Sequence, residues 1–136
     1  MKIKLDKGAF PPERAHDTDA GMDIKSPAQA WIPPHSAVLI RTGVHIELPQ
    51  STAGILISKS GLNCQHGITT TGLIDEGYTG EICVMMHNHS NDGYMVHRGD
   101  KITQLVVTPV IYESIEIVDE IASGDRGSNG FGSTGR

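Results

Sequence analysis

The sequence predicts an all-β sandwich or barrel, and three observations carry that expectation. Short runs of β-branched and aliphatic residues recur along the chain with turn residues between them. No window holds a sustained 3.6-residue apolar period. The proline pairs Pro11-Pro12 and Pro33-Pro34 interrupt the only gaps long enough for helices, because proline lacks the amide hydrogen that an inner helical turn needs. At 136 residues the chain is long enough to bury one core and too short for two, so one domain is expected.

Taken in order, strands are expected at residues 2–5 (KIKL), 37–41 (AVLIR) and 44–48 (VHIEL). Another at 54–58 (GILIS) runs toward Ser60, where a single short helical turn is the most the pattern allows. Gly72 and Gly77, on either side of Asp75 and with Tyr78 next in line, read as a tight hairpin, a turn that presents side chains into a pocket. Residues 81–88 (EICVMMHN) and 102–110, within the strand 101–109 extended by one residue, are apolar on both faces. A strand can be so only if both sides are covered, so these two should be central or lie against a partner subunit. A last strand is expected at 114–118 (SIEIV).

Charge narrows the ligands. A formal net charge of −5 argues against generic nucleic-acid or anionic-membrane binding, since both need a basic face. A polyphosphate would have to be held by a few local cations, backbone amides or a metal. The two cysteines, Cys64 and Cys83, form no CxxC pattern, and no apolar signal segment follows Met1, which fits a reduced, intracellular, cytoplasmic protein. No apolar stretch approaches the roughly 20 residues of a membrane span, so no membrane contact is expected.

The tail changes character. Its last 13 residues, GDRGSNGFGSTGR, hold five glycines and one aromatic residue. Such a stretch buries too little surface to order itself, yet Phe131 between two glycines is out of place in a merely solvated tail. Gly130, Gly132 and Gly135 match GxGxxG, and Gly127 to Thr134 approaches a phosphate-loop pattern with Ser133 in place of lysine. Both patterns require a following helix, which is not available before Arg136. What survives is the underlying chemistry: glycine-rich backbone can turn several N–H groups onto phosphate oxygens, with Ser133 and Thr134 adding hydroxyls. His87 and His89 share a strand face, but with no third ligand nearby a structural or surface role is the better reading than zinc. Arg98-Gly99-Asp100 is ordinary turn chemistry before an apolar strand, and Asn88-His89-Ser90 is a sequon without a secretory signal.

Five separated segments, in order along nearly the whole chain, together resemble the trimeric dUTPase family. They are AGMDI at 20–24, SKSGL at 58–62, GLIDEGYTGE at 72–81, RGDKITQL at 98–105 and RGSNGFGSTG at 126–135. The resemblance implies a distorted jelly-roll or β-barrel of the β-clip type, assembled as a homotrimer. It also divides the chain into a core at residues 1–118 and, at 119–136, a C-terminal arm exchanged between subunits and closing over the active site. The implied activity is a dUTP diphosphatase, cleaving dUTP to dUMP and pyrophosphate by in-line attack of water at the α-phosphate.

Residue by residue, the resemblance places Asp75 as the carboxylate that activates the water; read alone, an aspartate beside a turn glycine is a turn stabiliser. Tyr78, otherwise a core aromatic, would pack on the deoxyribose and exclude a 2′-hydroxyl. The backbone of residues 68–74, Leu73 and Ile74 included, would read the uracil edge, with Cys83 also in the substrate site. Thr69 stands where some relatives have an asparagine, which shifts base discrimination toward the backbone. Lys59, Ser60, Gly61 and Gln104 would meet the phosphates. Lys59 replaces the usual arginine and offers a point charge without the bidentate fork. From the tail, Phe131 would stack on uracil, Arg126 would bring charge to the terminal phosphates, and Gly132, Ser133 and Thr134 would line the nucleotide. Asn129 replaces a common glycine. Mg2+ is the implied cofactor, riding on the phosphates and reached by Asp23 through water only; read alone, Asp23 caps a turn after Gly21. Two other readings remain: a dCTP deaminase relative, disfavoured by the Asp75/Tyr78 hairpin and the glycine-rich tail, and a regulatory nucleotide-binding protein on the same fold, disfavoured because every catalytic position is filled.

Overall fold

The structure, a computed structural model, describes residues 1–124 and Gly127. Among these, nine strands and one helix follow one another as β1 (Lys2–Leu5), β2 (Gly21–Lys25), β3 (Ala30–Ile32), β4 (Ala37–Glu47), β5 (Thr52–Ile57), α1 (Ser60–His66), β6 (Ile68–Ile74), β7 (Glu81–Asn88), β8 (Tyr94–Val96) and β9 (Lys101–Pro109). Seven strands form one sheet in the order β1-β4-β7-β6-β5-β9-β2, curled as a half-barrel, and β3 pairs with β8 apart from it. All the strand pairs are antiparallel. No described helix is long and apolar enough to cross a membrane.

Alternation builds the core. Along β7, Ile82, Val84, Met86 and Asn88 point inward while Cys83, Met85 and His87 point out, the two-residue period of a strand covered on one face. The inward set packs against Ile24, Ile40, Ile68 and Leu105 in one apolar cluster. Asn88 sits in that core with its desolvation offset, because its amide donates to the carbonyls of Ile32 and Asp92, at 3.2 and 2.8 Å. As expected, β7 and β9 lie inside the sheet rather than at its edges. The outer face of β7 is not covered by its own chain: Met85 is exposed, as is Leu39 opposite it on β4.

The structure departs from the expected elements in identifiable ways. Residues 37–41 and 44–48 are one strand, β4, bent by a bulge between Arg41 and His45. Gly43 reads as punctuation in sequence; here its φ of +67° forms the bulge, and a Cβ on it would come within 2.9 Å of the Ala9 Cβ. Thr42 keeps the bend satisfied, donating from its hydroxyl to the Ile82 carbonyl at 2.6 Å and accepting from the Val44 amide at 3.1 Å. Near Ser60 the helical turn is seven residues long, closed by Gly67 at φ +64°. The segment 114–118 is not a strand: Ile115 and Ile117 are more than nine-tenths exposed, and among the described residues the segment pairs with no strand. Strands β2, β3, β6 and β8 are additional to those read from the sequence.

Candidate functional site

The candidate residues gather in two places. The first lies where β2 pairs with β9. Asp23 stands opposite Gln104, and a bulge at Ile24/Lys25 skips one residue of β9, bringing Lys101 opposite Lys25 and onto the face that carries Asp23. Asp23 is only 4 % exposed, yet it is fully partnered: Lys101 Nζ donates at 2.7 Å, Lys59 Nζ at 2.5 Å and Gln104 Nε2 at 3.4 Å. Glu13 joins from outside, bridging its backbone to that of Asp23 and its carboxylate to Lys25. Two carboxylates thus hold three lysines by ion pairs. Lys25, Lys59 and Lys101 line one open cleft of about 590 Å³ together with Gly61. Ser60 and Gly61 open α1, where Lys59 supplies no side-chain cap, so the first amides of the turn remain available to an acceptor.

Electrostatics follow from that packing. Burial pushes the Asp23 carboxyl up, and the hydrogen bonds from Lys101 and Lys59 override it, leaving the group below its ordinary value. The same hydrogen bond raises the Lys101 ammonium. A carboxyl depressed in the folded state adds stability that is complete above its unfolded pKa and lost as pH falls through the folded one. Asp23→Asn is therefore expected to lower stability at pH 7 by roughly 1–3 kcal/mol, the scale for orphaning buried charge-assisted bonds. It should also flatten the loss of stability on acidification below the usual carboxylate range. Urea unfolding of parent and variant at neutral and acid pH measures both; equal midpoints at pH 7 would mean that the cluster carries no net stability.

The second place is the end of the β6–β7 pair. These strands are in register only from Ile68↔Asn88 to Thr70↔Met86, after which β6 continues beside β5 alone, as far as Gly54↔Ile74. Instead of a tight hairpin the strands split. Main-chain groups of residues 71–74 that point away from β5 therefore have no strand opposite them. The split opens a pocket of about 380 Å³ lined by Gly72, Leu73, Ile74, Asp75, Tyr78 and Cys83. Leu73 is 67 % exposed there, an apolar side chain held in water at the pocket rim. Burial pushes the Cys83 thiol up, so it lines the wall as a protonated, weakly polar group.

The connecting loop is fixed at several points. The Tyr78 amide donates to the Asp75 carbonyl at 3.1 Å, and Gly77 takes a φ of +85°. The Tyr78 hydroxyl donates to the Glu81 carbonyl at 2.9 Å, with the ring laid across Gly80, where any side chain would collide with it. Glu76 ties the near side down by accepting from the Ser51 amide at 2.8 Å and the Tyr112 hydroxyl at 2.7 Å. Asp75 is exposed, and among the described residues no side-chain donor engages its carboxylate. Its carboxylate lines the pocket as an exposed acceptor, a group chemically able to take a proton from a water within hydrogen-bond reach.

The structure thus brings together Asp23, Lys59 and Gln104 through contacts, with Gly61 on the same cleft, and separately Leu73, Ile74, Asp75, Tyr78 and Cys83. The cleft and the pocket share no lining residue. Thr69 lines neither; its hydroxyl pairs with His89 Nε2 at 2.8 Å, inside the paired stretch and one residue before its last pair, Thr70↔Met86. Arg126, Phe131, Gly132, Ser133 and Thr134 lie outside the described residues, as does Asn129. Lys101 was not singled out from the sequence, and its only signal was its place three residues before Gln104. Lys25 and Glu13 carried none, since a bulge and an isolated bridge set their positions.

A divalent metal has little dedicated machinery here. No group of three histidine, cysteine, aspartate or glutamate side chains among the described residues could hold an ion. Asp23, already bonded to two ammonium groups, suits contact through water rather than direct ligation. That donor set fits Mg2+ arriving on a polyphosphate, since Mg2+ keeps several of its waters and uses one or two carboxylates plus substrate phosphates.

Comparison with known proteins is consistent along the whole chain. The dUTPase family profile matches residues 9–135. The deoxyuridine 5'-triphosphate nucleotidohydrolase of Gloeothece citriformis is 44 % identical, over 99 % of this chain and 97 % of its own. Among solved structures, the Staphylococcus bacteriophage 80alpha dUTPase with dUpNHpp aligns with a TM-score of 0.93 at 30 % identity, covering 99 % of this chain and 98 % of that one. A mutant dUTPase from phage phi11 of S. aureus, described for its coordination of a structural Mg(II) ion, aligns with a TM-score of 0.83 at 28 % identity. It covers 90 % of this chain and 98 % of the phage chain.

Proposed function

The chain belongs to the dUTPase family and is a dUTP diphosphatase, and from that premise we propose how its two clusters share the reaction. The observation that carries the proposal is the split between β6 and β7. It leaves main-chain donors and acceptors unpaired beside Cys83, with Asp75 and Tyr78 at the mouth. Uracil presents an N–H between two carbonyls, a pattern that strand backbone can complement as it would a neighbouring strand. Seated there, the nucleotide brings its deoxyribose against the Tyr78 ring, which leaves no space for a 2′-hydroxyl. Asp75 then orients a water in line with the α-phosphorus and takes its proton as attack proceeds.

The phosphates fall to the other cluster. Lys59 and Lys101 bring charge, Ser60 a hydroxyl, Gly61 an amide, and Gln104 a further donor. The lysines are held by Asp23, so their ammonium groups are ordered before substrate arrives. Mg2+, bound through the phosphates with Asp23 in contact by way of water, would neutralise charge on the leaving pyrophosphate.

The cleft and the pocket share no lining residue on one chain, and a site drawing on more than one copy would bring the two kinds of lining together. We assign the assembly to a homotrimer. The exposed Ile111, Ile115, Ile117 and Ile121 support this reading: they form an apolar, unpaired segment leading to the glycine-rich arm, suited to cross onto a neighbour. The arm would then close over the nucleotide, with Phe131 on the base and Arg126 near the terminal phosphates.

Pyrophosphate release from dUTP, dTTP, dCTP and UTP, with and without Mg2+, tests the assignment. Only dUTP is expected to be a good substrate, with kcat/KM falling at least ~10²-fold for UTP, the scale for a pocket with no room for one added group. Comparable values for dUTP and dTTP would refute the backbone-lined pocket as the source of specificity, and ammonia from dCTP would point to deaminase chemistry.

A further inference from the structure

The far side of the Asp75–Gly80 loop is held by the bulge of β4. Arg41 Nε donates to Glu81 Oε2 at 2.7 Å, and the Gly43 amide donates to Glu81 Oε1 at 2.9 Å. The third contact is different in kind. His45 Nδ1 lies 3.1 Å from the main-chain oxygen of Thr79, and His45 Nε2 lies 3.2 Å from Asp6 Oδ2. A carbonyl oxygen only accepts, and so does an ionised carboxylate. A neutral imidazole carries one N–H and can satisfy one of them. Only the imidazolium, with a proton on each nitrogen, bonds both at once.

Asp6 is fixed independently of this contact. Its amide donates to the Gly43 carbonyl at 2.8 Å, and its own carbonyl accepts from the Ala9 amide at 3.1 Å. The Asp6 backbone is therefore fixed, its carboxylate is half-exposed, and the His45 ring is a strut between that residue and the loop.

We propose that His45 is a positioning residue for this reaction: as an imidazolium it bridges Asp6 to Thr79 and clamps the Asp75–Gly80 loop, and loss of its proton releases one end. The proposal rests on the reading of Asp75 as the carboxylate that activates water. The charged groups around the ring suit the role. Lys4 lies opposite on β1, with its Nζ 4.0 Å from Asp6 Oδ1, and Glu81 lies opposite on β7, already engaged by Arg41 and Gly43. Glu47, two residues along β4, is taken by Lys2 at 2.9 Å.

The test follows the proton, the loop and the turnover together in the full chain. Nitrogen NMR of the His45 ring, amide exchange at Gly80 and Glu81, and kcat for dUTP are measured from about pH 5 to 8, the range in which an imidazole changes charge. Expected are two protonated ring nitrogens while the clamp is closed. As His45 deprotonates, exchange corrected for base catalysis should rise roughly three- to tenfold, the effect of one partly exposed hydrogen bond. A step in kcat should share that midpoint. Asp6→Asn is the sharper variant, because its amide N–H can donate to a neutral Nε2 and keep the bridge closed, so both steps should vanish. His45→Ala should show the open level of exchange throughout, and His45→Gln serves if the alanine variant does not fold. A half-protonated ring with a protected loop, or steps that persist in Asp6→Asn, would overturn the clamp. If Asp75→Asn kept its turnover while the exchange step remained, the catalytic reading would fail and the clamp would stand.

Discussion

Replacing Asp75 with asparagine is expected to lower kcat for dUTP by at least ~10²-fold, the usual scale for losing a general base, while nucleotide binding survives. Asparagine matches the shape of the carboxylate but is a far weaker proton acceptor, so the substitution removes the proton transfer and little else. The local structure supports a clean result. Turn contacts around Asp75 run through its main-chain oxygen and the side chains of Glu76 and Tyr78, none of which the substitution alters. Fold and pocket should therefore persist, and a binding measurement with a non-hydrolysable analogue separates the two effects. A kcat within a few-fold of the parent would reassign Asp75 as a turn residue.

The second large effect concerns the arm. Two inactive proteins should rescue each other: Asp75→Asn with an intact arm, and a chain cut after Ser123 with Asp75 intact. In a closed threefold ring the contacts are heterologous, so the arm of one subunit can serve a pocket belonging to another. With random mixing in equal amounts, about a quarter of sites would combine a good loop with a good arm, whereas an arm serving its own subunit would give none. The two chains are unfolded and refolded together, and dUTP hydrolysis is compared with each refolded alone. No recovery, in a sample whose mixed trimers are verified by mass, would reject exchange of the arm and leave Asp75 untouched.

Much of the candidate site was legible because its chemistry is local. Gly77 beside Asp75 and Tyr78 announces a turn that exposes polar side chains, and the structure places all three on one loop. Residues 2–5, 81–88 and 101–109 were read as strands with the bounds they have, since two-residue alternation or continuous apolar character is a property of the segment itself. The sequence was less informative where a single residue had two meanings. Gly43 marks a break in most contexts, and here it bends a continuous strand. Ser114 to Val118 has the composition of a strand but pairs with none of the described strands, so propensity without a partner produced none.

The sequence by itself determined the strand-rich class, the five family segments and the side-chain types that the candidate site holds, because those depend on residue identity and short-range spacing. Tertiary structure alone decided which of these groups touch. A bulge in the β2–β9 pairing sets Lys101 against Asp23, and the parting of β6 from β7 turns an apparent hairpin into a pocket. The bend of β4 carries His45 between Asp6 and Thr79. Each of these depends on register between segments tens of residues apart. Register is fixed by how the whole sheet buries its inner face, a balance that no local stretch of sequence contains.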